Sequence, residues 1–234
     1  MNDIVFPPAA LEPLTRERAR AARPVTAGIL VSGRGSNMEA LLRAVAAGCL
    51  SAHVAVVVSD NPEAPALGKA RRYGVETVVA DRRAYPDRTA QEGAVASALM
   101  VRGVELVLLA GYMRLLRGPL LAAYPGRILN IHPALLPAFP GLHAQRQALD
   151  HGAKVAGCTV HFVDAGTDMG PIVLQAAVPV LEDDTEETLA ARILVAEHRL
   201  YPAAVQLYAE GRLVLEGRRV RILPPPRDRS SRPD

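Results

Sequence analysis

The residue types best suited to chemistry stand in residues 128–143, ILNIHPALLPAFPGLH. Asn130 and His132 are two apart, so in an extended segment both project from one face while Ile131 points the other way, into a core. Pro133 has no N–H to give a sheet ladder and ends the strand; Pro137, Pro140 and Gly141 then shape a loop. A side-chain amide beside an imidazole suits acyl chemistry. Asn can donate a hydrogen bond to a developing oxyanion, and His can carry a proton near neutral pH. Taken alone, the pair reads equally well as polar residues at the end of a strand.

A second candidate lies upstream. Residues 26–32, TAGILVS, read as a buried strand; Gly33-Arg34-Gly35-Ser36-Asn37 follows, and residues 38–47 have helical spacing closed by Gly48. A strand, a Gly-rich turn and a helix start aim free backbone N–H groups at an anion. The glycines permit close approach, and Ser36 and Asn37 add donors. The segment is neither a Walker A sequence nor a complete GxGxxG, so a tight βα turn remains the alternative.

The elements that must position these residues follow from periodicity. Apolar strands at 54–59, 75–80 and 104–110 alternate with helical patterns at 64–73, 87–102 and 119–124. Such alternation predicts right-handed crossovers and a parallel sheet, whose ligands bind beyond the carboxyl ends of the strands. That rule brings 33–37, 113–116 and 130–132 to one rim. After residue 143 the pattern changes. A helix is expected at 144–150 and an alternating strand at 157–163, with Cys158, Val160 and Phe162 on one face and Thr159, His161 and Val163 on the other. A further strand, 172–180, is expected to pair antiparallel with it. The loop between them carries Asp164 and Asp168, for which turn chemistry is the ordinary reason. A helix over 185–210, kinked or broken at Pro202, leads to a hairpin over 212–223 about Glu216-Gly217.

Composition narrows the function classes. Of 234 residues half are hydrophobic, enough for a substantial core without any Trp. No apolar run approaches the ~20 residues of a membrane span, and the N-terminal residues lack the apolar core of a secretory signal. Cys49 and Cys158 lie far apart, which suits a reduced cytoplasmic protein. The pI near 9.1 suggests nucleic acid until the charge is located. Residues 1–24 carry four Arg against three acids and residues 217–234 six Arg against two, leaving 17 basic and 19 acidic residues between 25 and 216. The body is slightly acidic, with no basic stripe for a phosphate backbone, so neither nucleic acid nor membrane is expected as a partner. Residues 1–24 read as a disordered extension, 25–223 as a single domain, and the Pro- and Arg-rich 224–234 as a disordered tail.

Five segments then carry a resemblance: SGRGSN at 32–37, AGYMRLL at 110–116, NIHPALLPAFPGLH at 130–143, HFVDAGTDMGPIVLQ at 161–175 and EHRLYP at 197–202. In this order and spacing the chain resembles the folate-dependent phosphoribosylglycinamide formyltransferases from about residue 26 to about residue 223. The resemblance implies an α/β, Rossmann-like fold: a mostly parallel central sheet with helices on both faces and an antiparallel C-terminal portion. It implies transfer of a formyl group from 10-formyltetrahydrofolate, a co-substrate, to the amine of 5-phosphoribosylglycinamide in de novo purine (IMP) biosynthesis. By the same resemblance Asn130, His132 and Asp168 are catalytic. The substrate phosphate falls on Gly35, Ser36 and Asn37, and its ribose near Glu197. The folate falls against Met113, Arg114, Leu115, Leu116, Asn130, Asp164, Ala165, Gly166, Thr167 and Asp168. Arg88 matches a folate-contacting arginine, and Leu136-Pro137 corresponds to a cis peptide. Ala138, where many relatives carry Lys or another polar residue, and Gln145, where His is frequent, depart from the pattern and touch only peripheral contacts. His161 reads as a possible pocket residue, while His53, His143, His151 and His198 read as surface or packing residues. No His/Cys/Asp cluster has ligand spacing, so no metal is expected. A monomer or homodimer acting on small molecules is implied.

Three alternatives share parts of this pattern. A formyltetrahydrofolate hydrolase has the same Asn/His/Asp set but usually a regulatory domain ahead of it, where 24 residues stand here. A methionyl-tRNA formyltransferase would need an additional C-terminal domain. A silent nucleotide-binding module would not need all three catalytic-type residues.

Overall fold

The computed structural model describes residues 4–6, 12–20, 22–116 and 118–225. Among them the strands β1 (Ile4–Phe6), β2 (Val25–Val31), β3 (Ala52–Ser59), β4 (Glu76–Val79), β5 (Leu106–Leu109), β6 (Ile128–His132), β7 (Val155–Phe162), β8 (Ile172–Pro179), β9 (Leu213–Glu216) and β10 (Arg219–Ile222) form one sheet. Its order is β4-β3-β2-β5-β6-β7-β8-β10-β9, with β1 also pairing β8. From β4 to β6 every pairing is parallel. The helices between these strands are α2 (Ser36–Ala46), α3 (Pro65–Arg72), α4 (Arg88–Met100) and α5 (Pro119–Ala123).

Side-chain alternation along the strands separates two apolar layers. Ile29, Val31, Val57, Leu106, Leu108, Leu129 and Ile131 pack with Met38 and Leu41 of α2 and with Ile193 and Leu200 of the long helix α7 (Glu186–Ala209). Leu30, Val56, Val58, Val107, Leu109 and Ile128 pack on the other face, against Val95 and Leu99 of α4 and Leu120 of α5. Consecutive residues of β5 and β6 thus feed opposite layers, as period two requires. Such strands, apolar on both faces, read as near-continuous hydrophobic runs.

Beyond β6 the sheet turns antiparallel through β7 and β8, as expected. The helix α6 (Ala144–Asp150) precedes β7. The expected hairpin is β9–β10, with Glu216 opposite Arg219 so that Gly217 and Arg218 form its two-residue turn. One expectation is corrected. Of the kink or break expected at Pro202, the break does not occur: the helix α7 is continuous through it, and its 24 residues bury one face along the whole length, which outweighs one lost backbone hydrogen bond. Residues 1–24, expected to be a disordered extension, include β1 and the helix α1 (Arg16–Arg20), both set against the body. Two of the Arg side chains that suggested a tail find partners there: Arg18 meets Glu210 at 2.6 Å, and Arg16 donates to the Ala47 carbonyl at 2.8 Å. Of the tail expected at 224–234, all but 224 and 225 lie outside the described residues.

Candidate active site

Asn130 and His132 stand at the carboxyl end of β6, where Pro133 ends pairing. The antiparallel register sets His161 of β7 directly opposite Asn130, and Thr159 opposite His132. Residues opposite one another share a face, so His161 and Asn130 meet: Nε2 lies 3.1 Å from the Asn130 amide nitrogen. The other ring nitrogen of His161, Nδ1, faces the Phe162 carbonyl at 2.9 Å and must donate to it. Nε2 is then the acceptor, which fixes the amide: Asn130 donates one N–H to His161 and keeps its second N–H for another acceptor. Burial holds the His161 pKa below its ordinary value, which keeps this ring neutral near pH 7.

His132 is buried at 5% exposure. Its Nε2 lies 2.9 Å from the Phe139 carbonyl, to which it donates, and its Nδ1 lies 3.4 Å from Asp168 Oδ2. The other carboxylate oxygen is 3.7 Å from His161 Nε2. Asp168 therefore stands between the two imidazoles. It occupies the left-handed backbone region at φ 51°, which Asp tolerates better than most residues, and its Oδ2 accepts the Gly141 N–H at 2.8 Å. The loop after β6 is held in turn by Thr159, whose hydroxyl accepts the Leu136 N–H and donates to the Ala134 carbonyl, and by Gln175, which donates to the Leu136 carbonyl. The Leu136–Pro137 peptide is cis, as the resemblance implies.

Asn130, His132, His161 and Asp168 line a cavity of about 390 Å³. Its wall includes Met113, Arg114, Leu115 and Leu116 after β5 and Asp164, Ala165, Gly166, Thr167 and Asp168 between β7 and β8. Arg88 is not part of this wall; it opens α4 and lies 3.4 Å from Glu92. His161 was underweighted by sequence reasoning. The signal was its place on the same alternating face as Thr159, but only the β6–β7 register identifies Asn130 as its partner.

The Gly-rich turn builds a second polar group. Gly35 precedes α2 with φ 67°, and a Cβ there would stand 2.6 Å from the Ala66 Cβ of α3. Both the backbone angle and the close helix require glycine. The Glu39 N–H bonds the Gly35 carbonyl at 3.0 Å, so the amides of Ser36, Asn37 and Met38 lie in the first turn without an intrahelical acceptor. This arrangement can hold an anion. Asn37 is buried and donates to Glu197 Oε2 of α7 at 2.8 Å, while its Oδ1 is buried without a partner among the described residues.

Burial pushes the Glu197 carboxyl up to about 7, against the pull of the Asn37 hydrogen bond. The folded-state pKa lies above that of an unfolded glutamate, so the folded protein keeps this proton longer. Its contribution to stability is fully present below about 4.5 and falls as pH rises to about 7. Glu197→Gln mimics the protonated form and should raise stability at pH 8 by on the order of 3 kcal/mol, with little change at pH 4.5. Urea unfolding of the ligand-free protein at both pH values checks this; an equal effect at both would mean that folding does not shift the Glu197 pKa.

Comparison with known proteins agrees with this architecture. Residues 27–205 match the family model described as formyl transferase. The chain is 43% identical over 178 residues to the phosphoribosylglycinamide formyltransferase of Bacillus subtilis, covering 76% of this chain and 91% of that protein. It is 46% identical over 187 residues to the trifunctional purine biosynthetic protein adenosine-3 of Gallus gallus, covering 80% of this chain but only 19% of that much longer protein. A crystal structure of glycinamide ribonucleotide transformylase 1 from Symbiobacterium toebii is 62% identical and superposes with a TM-score of 0.85, covering 86% of this chain and 94% of that one. By sequence and by fold, the chain belongs to the formyl transferase family and, within it, to the phosphoribosylglycinamide formyltransferases.

Proposed function

We propose that this protein transfers the formyl group of 10-formyltetrahydrofolate to the amine of 5-phosphoribosylglycinamide, in the cytoplasm, as a monomer or homodimer. The observation that carries the reading is the convergence of Asn130, His132 and Asp168 on one wall of a cavity lined by residues 113–116 and 164–168. The names of the similar enzymes support this choice of acceptor. The free amides at the start of α2 and the unpartnered Asn37 Oδ1 support a ligand with a phosphate and hydroxyl groups.

The groups suit attack of an amine on a formyl carbon. The N–H of Asn130 not used by His161 meets the oxygen on which negative charge develops. The Nε2 of His132 is committed to the Phe139 carbonyl, so Nδ1 exchanges the proton. It takes the proton from the attacking amine and returns one to the departing folate nitrogen, leaving no net proton on the enzyme. The imidazolium formed in between faces the Asp168 carboxylate.

The acceptor assignment is tested by offering 10-formyltetrahydrofolate with phosphoribosylglycinamide, with water alone and with charged initiator tRNA. Formylation of the ribonucleotide at a rate far above the other two is expected; preferential hydrolysis, or transfer to tRNA, would overturn it. The phosphate position has its own test. Ser36→Asp puts an anion at the start of α2 and should raise the KM for the ribonucleotide at least tenfold, with a much smaller change for the folate. An unchanged KM would remove residues 33–37 from the site.

A further inference from the structure

Residues 113–116 supply a wall of the cavity, yet Met113 and Leu115 are 63% and 41% exposed, so apolar packing alone does not hold this segment. Polar tethers do. At the end of β2, the Ser32 hydroxyl accepts the Met113 N–H at 2.9 Å, and the Ser32 N–H bonds the Gly111 carbonyl at 3.1 Å. Just beyond β3, Asp60 accepts from Arg114 Nε at 2.6 Å; its side chain is 4% exposed, and its Oδ1 has no partner among the described residues. On α4, the buried Glu92 accepts the Gly118 N–H at 3.0 Å. Ser32 and Asp60 thus pin Met113 and Arg114 from two separate elements, while Glu92 holds Gly118 at the start of α5; all three lie outside the cavity wall.

We infer that Ser32 and Asp60 are positioning residues for the formyl-donor half of the site, with Ser32 as the central tether. This rests on the reading that residues 113–116 receive the donor. Backbone groups in an irregular segment find a geometry only through such partners. The Ser32 tether is the most specific, because it holds the amide of Met113 itself and leaves the apolar layers untouched. Ser32 also leads directly into Gly33, so a merely structural role would disturb the ribonucleotide end as much as the donor end.

The test compares Ser32→Ala with Ser32→Thr, which keeps the hydroxyl. Loss of one neutral hydrogen bond corresponds to about a fivefold change. Ser32→Ala should therefore raise the KM for 10-formyltetrahydrofolate about fivefold, while kcat and the KM for phosphoribosylglycinamide stay within about twofold. Hydrogen exchange at the Met113 amide of the ligand-free protein should accelerate, and Ser32→Thr should restore both quantities. Unchanged Met113 exchange, an unchanged donor KM, or equal rises in both KM values would overturn the inference. Absence of transfer by the unaltered protein would count against the functional reading alone; the Met113 amide decides the tether in either case.

Discussion

Asn130→Ala is expected to lower kcat by about 10²–10³, the cost of removing one preorganised oxyanion donor. The geometry explains why the loss should fall on turnover. One amide hydrogen of Asn130 is held by His161, and the other has no partner among the described residues. A donor fixed in this way needs no reorganisation when charge develops on the formyl oxygen. The side chain lies on a strand end whose backbone pairing involves β5 and β7, so truncation removes the amide without altering the ladder. Ground-state binding of either substrate should change much less than kcat. Steady-state rates with both substrates saturating, together with both KM values, check the split. A variant with near-normal kcat would mean that the oxyanion is held elsewhere.

Much of this site was legible before any coordinates. The polar pair at 130 and 132 stood out because its spacing matches the strand period, and the Gly-rich turn because it sits between an apolar strand and a helical pattern. The parallel sheet followed from strands alternating with helices, and with it the common rim. What stayed hidden depends on pairing between distant segments. His161 gained its role only once the antiparallel register set it opposite Asn130. The Phe139 carbonyl and the Gly141 amide, which fix His132 and Asp168, belong to a loop whose path no periodicity encodes. The pairing of the N-terminal residues stayed hidden for a related reason. Composition counts Arg and Pro, but whether Arg18 is solvated or paired depends on Glu210, 192 residues away. At Pro202, a local rule gave way to the burial of a long helix face.

Asp168 and His132 offer the most direct test, because sequence separates them by 36 residues and only the fold brings them to 3.4 Å. A positioned acid–base group contributes about 10²–10⁴ to rate. His132→Ala should cost an amount in that range. Asp168→Asn keeps the shape of the side chain and removes the charge that faces the imidazolium, so it too should produce a large loss. If the two act as a unit, their effects are strongly non-additive. The decisive measurement is kcat for formyl transfer to phosphoribosylglycinamide in Asp168→Asn, His132→Ala and the double variant, with both substrates saturating. The account predicts that adding Asp168→Asn to His132→Ala costs less than about threefold further. A double variant slower by the full product of the two single losses would contradict it, since Asp168 would then act independently of His132.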